Sequence, residues 1–206
     1  DNVGLVIKMH HGNNSNYDRH MLRNGFFKSL SDEKRKCKIY WIHGSMSEEE
    51  IHGLYVHPQI NSYITTTHGE GFGLPLFEAA YHGMPVCAPN WSGHLDFLRM
   101  PKGKKHEVMF EKIKSEIREV HESGYMENII LPGMKWCHVN EKDTRKAMRS
   151  MYNASLPKKR IAQKLQNYLR EEFSENCQFE KIGDICRNVY HKKNNWQKDK
   201  SEVKFF

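Results

Sequence analysis

The stretch that most constrains this chain runs from Tyr63 to Phe97 and reads YITTTHGEGFGLPLFEAAYHGMPVCAPNWSGHLDF. Its first five residues, Tyr63 to Thr67, are β-branched or aromatic and suit a buried strand. Gly69, Gly71 and Gly73 then make a turn in which the backbone can take positive φ and a ligand can come close. From Leu74 the period becomes helical, with Leu74, Phe77, Glu78 and Tyr81 beside small Ala79 and Ala80, and it closes at Gly83 with Pro85 behind. Val86-Cys87-Ala88 is a second short strand, and Asn90-Trp91-Ser92-Gly93 a polar turn. Strand, glycine-rich turn, helix and strand form the βαβ unit of a parallel α/β sheet.

The turn has a definite chemistry. The first amides of a helix have no intrahelical acceptor, and the helix dipole places partial positive charge there. Gly71, Phe72 and Gly73 are therefore expected to aim N–H groups at an anion beyond the strand's carboxyl end. Glu70 stands before the helix and Glu78 in its second turn. Carboxylates beside an anion site are tolerable where they accept hydrogen bonds from ligand hydroxyls. An anion flanked by hydroxyl-rich groups describes a nucleotide sugar.

Glu70 and Glu78, with seven residues between them in EGFGLPLFEAAYHGMPV, resemble the donor-binding signature of retaining glycosyltransferases of the two-Rossmann-domain (GT-B) type, family 4 in particular. The following NWSGHLDF is similar to the next segment in one branch of that family. The resemblance implies a hexosyltransferase-type enzyme in which Glu70 contacts sugar hydroxyls as the residue of the catalytic centre. It implies that amides around Phe72, Gly73 and Leu74 hold the distal phosphate and that Glu78 binds the ribose. His68, Gly69 and Gly71 belong to the same donor-binding segment. The plain alternative is a tight βα turn with surface glutamates.

Upstream, Gly4 to Met9 reads as the first strand, and Ile39 to Ile42 as the next. Lys8 near the end of the first is a candidate diphosphate contact by the same resemblance, with a lysine at the sheet's rim as its alternative. The segment IYWIHGSMSEEEIHGLY is similar to the strand, loop and helix before the donor motif, and the resemblance implies that the loop at Ile42, His43 and Gly44 lies under the nucleobase, with an ordinary loop histidine as the alternative for His43. His10 and His11 are adjacent, so on a strand they point to opposite faces and chelate a metal poorly. Tyr17 to Leu30 reads as a helix, and Ser47 with Glu50 forms a capping box for another that Pro58 stops. Four strands, at about 5–9, 39–42, 63–67 and 86–88, separated by helical patterns, predict a Rossmann-like parallel sheet flanked by helices.

Beyond Leu98 the expectations are coarser. Met100 to Lys105 reads as a basic surface loop, residues 108–120 as an amphipathic stretch and Ile129 to Leu131 as a last strand. Asn140 caps a helix through Met151. Another opens at Ser155 and Pro157 with the stripe Ile161, Leu165, Leu169 and Phe173, and a last one packs through Phe179, Ile182, Ile185, Cys186, Val189 and Tyr190. From His191 the charged tail shows no clear period and is expected to be mobile or loosely docked. The expected organisation is one Rossmann-like nucleotide-sugar-binding domain over 1–190 and a basic tail over 191–206.

At 206 residues the chain has length for the carboxyl-terminal lobe of such an enzyme only. The resemblance then implies an amino-terminal lobe or partner chain that supplies the acceptor site, and weak turnover in isolation. The net charge of +7 suits anionic ligands, including the lipid headgroups of a peripheral membrane contact. Basic residues are scattered and no nucleic-acid module is present, so a polyanion or nucleic-acid binder is the weaker alternative, beside a catalytically silent interaction domain of the same fold. Five cysteines without a C-x-x-C pair point to reduced thiols and a cytoplasmic compartment. Asp-x-Asp is absent, so the expectation is metal-independent transfer with no cofactor beyond the nucleotide-sugar donor.

Overall fold

The structure, a computed structural model, describes residues 3–27, 37–153 and 156–201. The chain divides into two compact units, Asp1–Ile60 and Asn61–Phe206.

In the first unit, β1 (Gly4–Met9) leads through α1 (Asn16–Leu22) to β2 (Lys38–His43), which pairs with β1 in parallel from Gly4↔Lys38 to Met9↔His43. Ser15 and Asp18 cap α1 reciprocally. The helix expected to reach Leu30 gives way after Leu22 to one π-helical turn, Arg23–Phe27, where Asn24 and Gly25 favour an α-helix poorly; residues 28–36 lie outside the described residues. α2 (Glu48–Tyr55) starts at the predicted capping box. The Ser47 hydroxyl accepts from the Glu50 amide at 3.3 Å, and the Glu50 carboxylate accepts from the Ser47 amide at 2.8 Å.

The second unit is built on a three-stranded parallel sheet in the order β3 (Tyr63–Ile64), β4 (Val86–Pro89), β7 (Glu111–Ile113). The α/β class is as expected, with parallel sheets flanked by helices, and the ladder bonds run within two separate parallel sheets. α3 (Leu74–Tyr81) connects β3 to β4 and buries Leu76, Ala79 and Ala80. The four residues of β4 are all buried, as the central strand of a sheet covered on both faces should be. A one-turn α4 (Leu95–Leu98) buries Phe97 and Leu98.

Two antiparallel hairpins were not foreseen. The expected basic loop is a hairpin of β5 (Arg99–Lys102) and β6 (Lys105–Val108), turning at Gly103 with φ +59°. Glu107 pairs with Lys102 of the facing strand at 3.5 Å and with Lys164 at 2.8 Å. The amphipathic stretch 108–120 forms β7 and β8 (Ser115–Glu119), the latter pairing with β9 (Lys135–Val139). Ile113 and Ile117 are four apart, a spacing that serves one face of a helix and one face of a strand equally. Ile129 to Leu131 is no strand; only a bridge between Met126 and Ile130 forms there, and Ile129 is exposed.

Asn140 caps α5 (Glu141–Tyr152) by accepting from the Asp143 amide at 3.1 Å. Its Ala147 and Met151 pack with Cys87 and Ile113, against which Ile64 and Val139 also rest. α6 (Leu156–Glu172) buries Ala162, Leu165, Gln166 and Leu169, while Ile161 of the expected stripe is exposed; Ser155 lies outside the described residues. The Gln166 amide donates to the Tyr81 carbonyl at 3.1 Å, tying α6 to the end of α3. α7 (Glu175–Ser201) continues as helix through the region expected to be an aperiodic tail. Its expected packing stripe is not covered: Phe179, Ile182, Ile185 and Val189 are exposed.

Candidate functional site

The site grows from the end of β3. Tyr63 and Ile64 pair with β4, the Thr65 amide makes one more bond to the Cys87 carbonyl at 3.0 Å, and the strand then leaves the ladder. The predicted strand to Thr67 is thus shorter, because threonine hydroxyls take over the backbone. The Thr67 amide donates to Thr65 Oγ1 at 3.3 Å, and Thr67 Oγ1 donates to the Gly69 carbonyl at 3.0 Å. His68 is caught by β9 instead. The Cys137 amide donates to the His68 carbonyl at 3.1 Å, and His68 Nδ1 lies 2.6 Å from the Cys137 carbonyl. A carbonyl only accepts, so Nδ1 is the donor in this contact.

The ring of His68 lies flat on Trp136, with centroids 4.7 Å apart and planes at 11°, and His138 tilts against it at 4.9 Å. Burial first, then the positive charges of Arg118 and His68, hold the His138 imidazole below its ordinary range, with Glu116 acting the other way. His138 Nε2 is buried without a partner among the described residues.

The glycine-rich turn follows. Gly73 caps α3 in the left-handed conformation, φ +91°, where a Cβ would also press to 3.1 Å from Leu76 and 3.3 Å from buried His94. The Leu76 and Phe77 amides both return to the Gly73 carbonyl at 3.0 Å, and Pro75 has no N–H. Leu74 at the first helical position therefore carries the amide without an intrahelical acceptor, beside Phe72 and Gly73. Phe72 pins the turn from its apolar side, with its ring 5.0 Å from Phe97, 5.4 Å from Phe77 and 6.3 Å from Phe173. Gly71 looks into open space.

A second loop backs the turn. Ser92 adopts φ +83°, uncommon for a residue with a side chain, at a conformational cost on the order of 1 kcal/mol or more. Gly93 lies against the turn so closely that a Cβ there would stand 1.9 Å from the Gly71 carbonyl oxygen. His94 is fully buried behind both, its Nε2 donating to the Pro89 carbonyl at 2.8 Å.

Glu70 and Glu78 are both half-buried. They act on one phenol: burial, then the negative charges of Glu70 and Glu78, raise the Tyr63 hydroxyl above its usual range. A cleft of about 620 Å³ opens over this end of the sheet, lined by Thr65, Thr66, Thr67, His68, Gly69, Glu70, Ser92 and Trp136. Of the predicted residues, His68, Gly69 and Glu70 line it, whereas Gly71 to Leu74 form the adjoining turn and Glu78 the helix behind it.

The remaining predicted residues belong to the first unit. Lys8 is exposed at the end of β1, opposite Ile42 in register. His43 ends β2, half-buried, with its ring 5.6 Å from Trp41 and its Nε2 buried without a partner among the described residues. Gly44 follows at φ +113°, its amide donating to the Met9 carbonyl at 3.2 Å.

Four residues of the site were not singled out from sequence: Tyr63, Ser92, Trp136 and His138. Ser92 stands inside the NWSG turn, but nothing local marks its hydroxyl as reaching a residue 22 positions away. Trp136 and His138 share a face through the two-residue period of β9, a signal that appears only once that segment is known to be a strand.

No family model matches the chain, and no curated protein matches it. Among solved structures it is similar to a chain of the GtfA/B complex crystal structure, with 14% sequence identity and a TM-score of 0.41. The likeness covers 80% of this chain and 26% of that one, so this chain spans about a quarter of that chain's length.

Proposed function

We propose that this chain is the donor-binding lobe of a nucleotide-sugar-dependent glycosyltransferase of the GT-B type, retaining and metal-independent. The observation that carries the reading is the position of Glu70. It stands between a cleft rich in hydroxyls and the open amides at the start of α3. A carboxylate and threonine hydroxyls suit a polyol, and helix-terminal amides suit the phosphate attached to it.

In this reading the sugar occupies the cleft beside His68, Gly69 and Glu70, and the distal phosphate meets the turn from Gly71 to Leu74. Glu78 takes the ribose hydroxyls. Charge that grows on the diphosphate as the sugar departs is stabilised by amides already in place, without reorganisation at the moment of reaction. Glu70 orients the sugar ring, a positioning role that the same geometry serves without a covalent step. An amino-terminal lobe or partner chain brings the acceptor.

Calorimetric titration of uridine, guanosine and adenosine diphosphates and their common hexose conjugates tests this reading. It predicts binding of one base only, and tighter binding of its sugar conjugate than of the diphosphate alone. Absence of binding by every member of the series at millimolar concentration contradicts it.

A further inference from the structure

Both backbone polar groups of Glu70 end on one side chain. The Glu70 amide donates to Ser92 Oγ at 2.9 Å, and Ser92 Oγ donates to the Glu70 carbonyl at 2.6 Å. The Gly93 amide adds a bond to the same carbonyl at 3.0 Å. This hydroxyl thus closes a small ring around the residue assigned to the sugar, and it reaches there from a separate loop that also lines the cleft.

The conformation of the loop makes the hydroxyl conspicuous. At φ +83°, position 92 is one that glycine would adopt without strain. A serine there keeps the strain and gains one functional group, whose two hydrogen bonds both go to Glu70. Strained backbone held by its surroundings is found where geometry serves a site. The neighbouring Gly93, in contact with the Gly71 carbonyl, leaves the loop no room to slide along the turn.

We infer that Ser92 is a positioning residue for Glu70, fixing its backbone so that the carboxylate is presented to the hydroxyls of the bound sugar. The role rests on the donor-site reading of Glu70. The clamp itself is independent of any ligand. Ser92 has no need to touch the sugar to act.

Ser92→Gly deletes the hydroxyl and relieves the strain together, so its comparison with Ser92→Ala separates the two contributions. In the full chain, amide exchange followed by NMR is expected to quicken at Glu70 by about tenfold, the loss of one hydrogen bond, while the amides of Ala79 and Ala80 in α3 keep their protection. The thermal midpoint should stay at or above that of the wild type. Ser92→Ala, which keeps the strain and lacks the hydroxyl, should show the same quickening with a lower midpoint. In the titration with nucleotide sugar, Ser92→Gly should lose the affinity added by the sugar, as Glu70→Ala does, and retain the affinity for the diphosphate alone. Unchanged exchange at Glu70 in Ser92→Gly overturns the clamp. A sugar increment that survives Ser92→Gly but not Glu70→Ala overturns the positioning role. A wild type that binds no nucleotide sugar overturns the donor-site reading and with it the role toward sugar, while the exchange experiment still decides the clamp.

Discussion

The two units differ in how they use parallel strands. In Asp1–Ile60, β1 and β2 pair over six residues each, yet no described residue of that unit is fully buried. In Asn61–Phe206 the ladders are shorter, with β3 contributing two residues and β4 pairing three with β7, yet β4 is buried throughout and a core of Cys87, Ile113, Ala147 and Met151 surrounds it. Ladder length does not make a core. Burial comes from helices that lay small and aliphatic residues on the sheet, as α3 and α5 do, with α6 packed in turn against α3. The cleft, the glycine-rich turn and both glutamates stand on the cored unit, where packed side chains hold them in place. Lys8, His43 and Gly44 ride on strands that their own unit does not bury.

The largest effects should expose that contrast. Phe97, fully buried among the rings of Phe72 and Phe77, should cost about 3–5 kcal/mol when cut to alanine. Ile39→Ala on half-buried β2 should cost only about 1 kcal/mol. Denaturant titration checks both, and equal costs would break the comparison. Gly93→Ala comes next. Its methyl would collide with backbone, which cannot swing aside as a side chain can, so a loss of about 2–3 kcal/mol is expected, with the turn displaced and sugar binding lost. A thermal midpoint equal to the wild type's would remove the close approach from the account.

Smaller effects report on electrostatics. The fold favours the neutral form of His138, so the unfolded chain binds more protons in the window just below the ordinary histidine value of about 6.5. The stability this ring contributes is therefore full above that value and falls as the pH drops through it toward the lower folded one. His138→Asn should flatten the fall of the thermal midpoint between about pH 7 and pH 5, and an unchanged slope would count against the assignment. Smallest is a labelling rate. Burial, then the charge of Glu111, pushes the Cys87 thiol up to about 12, with Lys158 opposing, whereas Cys186 is exposed. Alkylation at mild alkaline pH should mark Cys186 rapidly and Cys87 only on unfolding, which peptide mapping resolves.

How far the sequence spoke follows the range of the interactions. The βαβ unit at Tyr63 to Pro89, the caps at Ser47 and Asn140 and the left-handed end of α3 at Gly83 all rest on residues a few positions apart, and all appear where expected. β8 escaped because its apolar spacing fits two periods. α7 escaped beyond His191 because charged residues interrupt its stripe without interrupting the helix. The cleft was half legible. Glycines and glutamates announce a turn, but the partners that shape it come from Ser92 and from Cys137, 69 residues beyond His68. Such contacts exist only in the folded chain.

The most direct test of the central claim is the division of labour between the two glutamates. Affinities of Glu70→Ala and Glu78→Ala for the preferred diphosphate and for its sugar conjugate should be measured by calorimetry beside the wild type. The account predicts that Glu78→Ala weakens both ligands about equally, and that Glu70→Ala loses only what the sugar adds. Equal, uniform losses in both variants, or none in either, would contradict it.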